Sequence, residues 1–482
     1  MMRKRLAFHS ATFLIALCLA LLPAGAQKPP AKAPTVGQSS RIGKISAAAT
    51  SGIRHVFIVS VDGMMPETYL QPDAYGLKVP TLREIAANGA YSEGLGPVFP
   101  SVTYPSHTSI ATGTNPGTHG IMSNGPFDPM GRLPGAVRWY TVDIRVPTLW
   151  DVAKARGLKT ALIYWPATVG ARADAVVQEF WRQDPGTEED AKLNFAMAIP
   201  PGLLDAVAGK FPNFKKNFLP PRVHDTESTD VAVHVIETMK PNLLMLHIFD
   251  VDHYQHQDGP LAGRGLDALE IADQQIARVI AAAKKAGTWE QTALVVVSDH
   301  GHARYTQRLR PGIWLREKGL ITLDDRNRIT VWKAWLLPTT GSAYVYVKDK
   351  DDEETRRAVT QLFEEAAARP GSGVARVHNH DQIVAMGGDP DAFLAIEAAA
   401  GWALIGGFTG DLVSPSTTPN AAGHGWPPSV PAMRPSLLIY GPSIGAGEIE
   451  GGRLIDVAPT VAGWLGLKME KAEGKALAVP RK

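Results

Sequence analysis

The sequence predicts an α/β protein whose central sheet is mostly parallel, with helices on both faces. Three apolar runs of strand length, each closing on an acid or an acid–histidine pair, carry that prediction. The first is His55-Val56-Phe57-Ile58-Val59-Ser60-Val61, ending in Asp62-Gly63. The second, Leu243 to Phe249, ends in Asp250, and the third, Ala293 to Ser298, leads into Asp299-His300-Gly301. Runs that are apolar at every position suit strands buried on both sides. Between the second and third runs, Leu269, Ala272, Ile276, Val279 and Ala283 recur at helical spacing, which predicts a helix over Leu266 to Lys285. A further strand is expected at Ser436 to Tyr440, followed by a helix near Val457 to Leu465.

The chain begins with Arg3, Lys4 and Arg5, then an apolar run from Ala11 to Leu22, then Ala24-Gly25-Ala26. That order describes a secretory signal peptide over 1–26, because the run is short of the ~20 residues that span a bilayer. The single cysteine, Cys18, falls inside it. Disulfides and thiolate ligands are therefore not expected in the mature chain. Residues 27–52 are rich in Ala, Pro, Ser and Lys and read as a disordered leader. The main domain is expected over 53–477, with an inserted cap within 305–420. With 45% hydrophobic residues, 20% charged and a formal net charge of +2, the chain can bury a large core. It has no charge excess that would favour nucleic acid or a membrane surface, and no membrane span is expected after signal cleavage.

In open α/β sheets the functional crevice lies at the carboxyl ends of the strands. Asp62, Asp299 and His300 occupy such ends, and Asp252 and His256 form an Asp-x-x-x-His pair just after the second run. His424 stands between Gly423 and Gly425, which would let the backbone set an imidazole into a crowded place. Carboxylates and imidazoles converging from distant positions suit divalent cations that hold a phosphate ester. Taken singly, Asp62 is equally well a turn former or a helix cap and Gly-His-Gly is more often a loop, whereas Asp299-His300 is a stronger signal, since burying both costs desolvation unless they are paired or metal-bound.

The segment Pro100-Ser101-Val102-Thr103-Tyr104-Pro105-Ser106-His107 supplies a hydroxyl. Pro105 suits the first turn of a helix, which places Thr103 just before the helix N-terminus, facing free N–H groups. A phosphate would be held there and a cation would acidify the hydroxyl. Thr103 as a simple cap is the equal alternative, and Ser101 and Ser106 are rival hydroxyls. Downstream, Asn124 carries an amide suited to a non-bridging phosphate oxygen, or to a turn. His55, His247 and His253 read as packed or hydrogen-bonded, while His302 is near enough to the Asp299-His300 pair to touch a ligand.

In this order the segments resemble the alkaline phosphatase superfamily, and most closely its nucleotide pyrophosphatase/phosphodiesterase branch. The matching pieces are Val59 to Gly63, Val102 to His107, Thr118 to Ile121, Asp252 to His256, Ser298 to Gly301, Gly423 to Gly425 and Asp456 to Val461, within roughly Ile53 to Leu477. The resemblance implies an alkaline-phosphatase-like three-layer α/β/α fold and two divalent metal ions, zinc by preference. Asp252, His256 and His424 would hold one ion. Asp62, Asp299 and His300 would hold the other, with Thr103 coordinated to it as nucleophile. Asn124 and the Thr103 N–H would steady the phosphoryl group, and Tyr104 and Trp165 would face the substrate.

Tyr164-Trp165-Pro166-Ala167-Thr168-Val169 looks like a family segment in which Val169 replaces an acid. Ser106 likewise stands where an Asn is usual. The implied activity is hydrolysis of phosphodiester or pyrophosphate bonds in small nucleotide-like esters, through a phosphothreonine. A phosphomonoesterase, with Arg172 or Arg182 reaching the extra charge, and a non-catalytic phosphate-binding protein are the alternatives. Thr103-x-Pro105-x-His107 lacks the Cys and Arg of a formylglycine sulfatase.

Overall fold

A computed structural model describes residues 52–182, 187–218 and 224–482. The signal peptide expected over 1–26 and nearly all of the expected leader over 27–52 lie outside the described residues. Among those described, no helix is long and apolar enough to cross a membrane.

Eight strands make the main sheet: β1 (His55–Val61), β2 (Ala90–Tyr91), β3 (Thr160–Ile163), β4 (Ala175–Val177), β5 (Leu243–Ile248), β6 (Thr292–Val297), β7 (Leu437–Tyr440) and β8 (Gly447–Glu448). Their spatial order is β8-β2-β7-β6-β1-β5-β3-β4. The block β6-β1-β5-β3-β4 is parallel throughout, whereas β7 runs antiparallel to β6 and β2. The expected mostly parallel sheet is thus present, with an antiparallel strand toward one edge.

Alternation within the apolar runs explains why they are apolar at every position. Phe57, Val59 and Val61 of β1 join Leu244, Leu246 and Ile248 of β5 in one core. Val56 and Ile58 join Leu243 and Met245 in the core on the opposite face. Helices cover both, because neither face can be left to water. On the first face lie α2 (Asp225–Met239) and α4 (Arg264–Lys285), whose expected stripe of Leu269, Ala272, Ile276, Val279 and Ala283 is wholly buried. On the second lie α1 (Thr103–Thr112) and the helices Leu149–Ala155 and Val457–Trp464. Helix α3 (Asp250–Asp258) follows β5 directly.

Residues 303–423 contain a two-stranded sheet, Ile321–Leu323 with Ile329–Trp332, and two larger ones. An antiparallel one is ordered Ala334–Pro338, Ser342–Val347, Leu394–Ala398, Val374–Asn379, and the helix Glu353–Ala368 shares its apolar core. In the other, Ala303–Leu309 is flanked by Gly401–Leu404 and Val413–Pro415. The chain then returns, because Ala422 pairs with Arg304 and Gly423 with Ala303. This short ladder sets His424 beside the residues that follow β6, although more than a hundred positions separate them in sequence.

β5, β1 and β6 are neighbours, so Asp252, Asp62 and Asp299 emerge at adjacent strand ends. The order of the strands alone gathers them. Truncating Leu246, fully buried between β1 and β3, removes apolar contacts at the centre of this block. Leu246→Ala is expected to lower stability by about 2–5 kcal/mol, read as a fall in the denaturant midpoint. An unchanged midpoint would refute this account of the core.

Candidate metal centre and nucleophile

The six expected ligands come together. His300 Nε2 stands 3.4 Å from Asp62 Oδ1 and 3.1 Å from Asp299 Oδ2. Asp252 Oδ1 stands 3.4 Å from His256 Nε2 and 3.7 Å from His424 Nε2. The rings of His300 and His424 stack at 3.7 Å, so the two groups of ligands adjoin. Candidate cation-holding sets are Asp62–Asp299–His300, Asp252–His300–His424 and Asp252–His256–His302, the ligand atoms of each within 4.8 Å of one another.

Local backbone features aim these side chains. His256 Nδ1 donates to the carbonyl of Ala422 (2.9 Å) and His424 Nδ1 to that of Ser101 (3.2 Å). Each ring thereby turns its Nε2 lone pair into the crevice. Gly425 adopts φ +94°, and a Cβ there would meet the Thr339 carbonyl at 2.0 Å, so only glycine can follow His424. Asp299 Oδ1 accepts from the Gly63 N–H at 3.1 Å, tying the end of β6 to the turn after β1.

Asp62 Oδ1, Asp299 Oδ2 and His300 Nε2 are buried without a hydrogen-bond partner. Burial, and then the charge of Asp252, push the Asp62 carboxyl well above the usual carboxylate range. Burial and Asp62 do the same to Asp299. Burial and the neighbouring His424 push the His300 imidazole well below its ordinary value. In the second group, burial disfavours both charges, yet Asp252 and His256 stabilise each other. The Asp252 carboxyl falls well below its usual range, and His256 is pushed up to about 9. A neutral imidazole between two buried, unpaired carboxylates is costly unless a cation completes it. The donor set, oxygen and imidazole nitrogen without sulfur, suits zinc or a neighbouring divalent metal.

Thr103 opens α1 as its first helical residue, one position further in than the sequence suggests, with Val102 as the extended residue before it. Pro105 lies in the first turn, as expected. The Tyr104 N–H donates to Asn124 Oδ1 at 2.9 Å, Pro105 has no N–H, and the Ser106 N–H bonds to the Val102 carbonyl. This leaves the Thr103 N–H as the open donor of the first turn. A backbone N–H can only donate, so it fixes the Asn124 amide with its oxygen toward the helix and its NH2 group turned away. Thr103, Tyr104, Asn124, Asp62, Asp252 and His256 all line one cleft of about 460 Å³. Ser101, a rival hydroxyl, is fully buried, donating to the Trp426 carbonyl and accepting from Gly425 N–H. Ser106 is fully buried as well and does not line the cleft.

Trp165 is not brought to the cleft. It is fully buried and meets His107 edge-on at 5.0 Å, because the turn after β3 directs it into the core beneath α1. Tyr104 lines the cleft but is buried there, and burial with the nearby Glu179 pushes its phenol well above its ordinary value. Several cleft residues, among them Glu179, Trp181 and Phe249, carry no site role in the sequence reading, and His247 has none beyond packing or hydrogen bonding. Glu179 lies two residues past β4 and is nearly buried. His247, read as packed, approaches Asp62 Oδ2 at 3.2 Å through Nε2 and Glu179 at 3.7 Å through Nδ1. Trp181 adds an aromatic wall. The position of Glu179 at the end of a parallel strand was the available signal, but β4 has only three residues.

Residues 56–425 match the type I phosphodiesterase/nucleotide pyrophosphatase family. Human ectonucleotide pyrophosphatase/phosphodiesterase family member 1 is 24% identical over 252 residues, 51% of this chain and 23% of that protein. Venom phosphodiesterase 2 of Crotalus adamanteus is 23% identical over 231 residues, 46% of this chain and 24% of that protein. The alignments thus span about a quarter of these relatives. The structure of human ectonucleotide pyrophosphatase/phosphodiesterase 5 superposes with a TM-score of 0.61 at 18% identity, covering 87% of this chain and 97% of that one. An inactive form of the murine protein in complex with AMP gives 0.60 at 20% identity, covering 88% and 97%. The alkaline-phosphatase-like α/β fold is therefore shared, and with more than three quarters of its length matched, the chain belongs to the type I phosphodiesterase/nucleotide pyrophosphatase family.

Proposed function

We propose that the protein hydrolyses phosphodiester or pyrophosphate bonds of small nucleotide-like esters, using two divalent cations and Thr103 as nucleophile. The observation that carries this reading is the convergence of six acid and imidazole ligands beside a hydroxyl at the start of a helix. Asp252, His256 and His424 would hold one ion, and Asp62, Asp299 and His300 the other, with zinc the best match to the donors. Bound there, such ions supply the positive charge that phosphoryl oxygens need and acidify an adjacent hydroxyl.

The remaining work falls to the chain. Thr103 Oγ1 attacks phosphorus in line with the leaving oxygen; the new O–P bond forms as the ester bond breaks, and the Thr103 proton leaves to solvent. The Thr103 N–H and the Asn124 amide donate to non-bridging oxygens, where charge develops. The released alkoxide takes a proton from solvent; water then attacks the phosphothreonine, its OH bonding to phosphorus as the Thr103 Oγ1–P bond breaks, and its other proton restores the Thr103 hydroxyl. Two inversions yield net retention. Tyr104, Trp181 and Phe249 offer flat or apolar walls to the group attached to the phosphate.

A diester is favoured over a monoester because, among the described residues, the cleft lining includes Asp62, Glu179 and Asp252 and no Lys or Arg. Arg182 is committed to Asp190 at 2.6 Å and to Thr187, and exposed Arg172 is not part of the lining. The strand pairing of Arg304 with Ala422 supports reading the intervening sheets as a cap inserted within 305–420 of a catalytic domain over 53–477. The basic and apolar N-terminal segment supports export to the periplasm or medium, and mature protein is expected to begin at Gln27 by intact-mass analysis. A retained residue 1 would refute cleavage.

Thr103→Ala should reduce turnover of bis-p-nitrophenyl phosphate by about a thousandfold or more with metal content unchanged. The unmodified chain should prefer that diester to p-nitrophenyl phosphate by at least about tenfold, or ~1.4 kcal/mol. A fully active Thr103→Ala variant would exclude this nucleophile.

Metal removal has a pH signature. The raised carboxyls of Asp62 and Asp299 make the metal-free fold lose stability as pH climbs through their folded-state values, since the unfolded chain gives up those protons sooner. A cation takes over from the protons and abolishes that loss. The rise in Tm on adding Zn2+ to chelator-treated protein should therefore grow between about pH 5 and about pH 8. A pH-independent rise would contradict the ligand assignment.

A further inference from the structure

His302 is buried and sits among the ligands without belonging to the six. Its Nε2 lies 2.8 Å from Asp252 Oδ1, closer than the Nε2 of either His256 or His424. Its ring centroid is 4.9 Å from that of His256 and 5.5 Å from that of His424. Distance alone would admit it as a third imidazole ligand for the same cation.

The other ring nitrogen decides between a ligand and a donor. His256, His300 and His424 each anchor Nδ1 to a backbone carbonyl, of Ala422, Gly301 and Ser101 respectively. Their protons are therefore on Nδ1, and Nε2 is free to coordinate. His302 Nδ1 is buried with no partner. The proton of a neutral His302 ring is satisfied only on Nε2, where Asp252 Oδ1 accepts it. A nitrogen that carries a proton has no lone pair for a metal.

The approach is built into the fold. Gly63, at φ +67°, faces the ring so closely that a Cβ there would stand 2.8 Å from His302 Nε2. Any side chain following Asp62 would push the imidazole off Asp252. The bond links the residues after β6 to helix α3, with the turn after β1 packed against it.

We infer that His302 is a positioning residue: through its Nε2–H it fixes the rotation of the Asp252 carboxylate for the cation shared with His256 and His424. The inference rests on the two-cation reading above, and its test reads metal binding, not turnover. Zn2+ affinity is measured by chelator competition on the full chain, with circular dichroism of the metal-free variants as a check on folding. His302→Leu keeps bulk and removes the donor; one of the two Zn2+ equivalents should bind about 10- to 100-fold more weakly, the other as before. His302→Gln sets an amide N–H near the lost Nε2–H, and its loss should stay below about tenfold.

Equal losses in the two variants would make His302 a direct ligand and overturn the inference. So would unaltered binding by His302→Leu. The unmodified chain gives an arm that does not depend on a variant folding. With cadmium-113 bound and nitrogen-15 histidine, the ion held by Asp252 should couple to two imidazoles, and coupling to three would overturn the inference. A chain that takes up no divalent cation removes the proposed function as well, whereas normal uptake with an unaffected His302→Leu removes only this inference.

Discussion

The rest of the structure depends on holding Asp62, Asp252 and Asp299 in one crevice with little water. Like charges at such separations repel strongly in a medium of low dielectric. Burying any of them unpaired costs several kcal/mol. Two responses are visible. Asp252 takes His256 and His302 as partners and keeps its charge, with its carboxyl well below the usual range. Asp62 and Asp299 are shifted the opposite way, by burial first and then by the neighbouring carboxylates, Asp252 beside Asp62 and Asp62 beside Asp299. The Asp62–Asp299–His300 group is thus the more strained without a cation.

The scaffold meets this demand with backbone rather than with more side chains. Three carbonyls orient three imidazoles, two glycines clear the space around His302 and His424, and the Gly63 N–H holds Asp299. Carbonyl and amide dipoles carry no net charge, so they can aim ligands without adding to the repulsion. The ladder from Ala303 to Gly423 contributes in the same way, fixing His424 by hydrogen bonds between main chains. That is why residues so far apart in sequence can hold tolerances suited to a metal.

How much of this was legible in the sequence varies with the kind of signal. β1, β5 and β6 were plain because burial on both faces makes an uninterrupted apolar run, and the α4 stripe was plain because its spacing is helical. The strand-end acids followed from those runs. Thr103 was identified from Pro105, with the helix beginning one residue earlier than expected, a shift within the looseness of helix ends. Glu179 was not visible, since β4 is three residues long and carries no periodicity to read. His247 is buried and hydrogen-bonded, as its place in an apolar strand suggests, but the identity of its partners, Asp62 and the Tyr164 carbonyl, is not readable from its apolar neighbours. Trp165 failed differently. Its segment matches by resemblance, but a buried position after β3 points it into the core, and direction after a turn is not encoded in composition.

The cleft's charge also bears on what it selects. In the proposed reaction the two N–H donors, from Thr103 and Asn124, would bind features that every phosphate ester shares and so could not choose among them. Choice must come from the walls, where Tyr104, Trp181, Phe249 and Val137 present aromatic or apolar faces and Glu179 presents a carboxylate. That carboxylate would raise the cost of any further anionic oxygen nearby, and among the described residues no lysine or arginine in the lining offsets it. A phosphate bearing a second, neutral ester group avoids this repulsion and can bury that group against the rings. Under the proposed function, selectivity in this cleft would therefore be exerted against charge and toward area, with the phosphate itself serving only as the common handle.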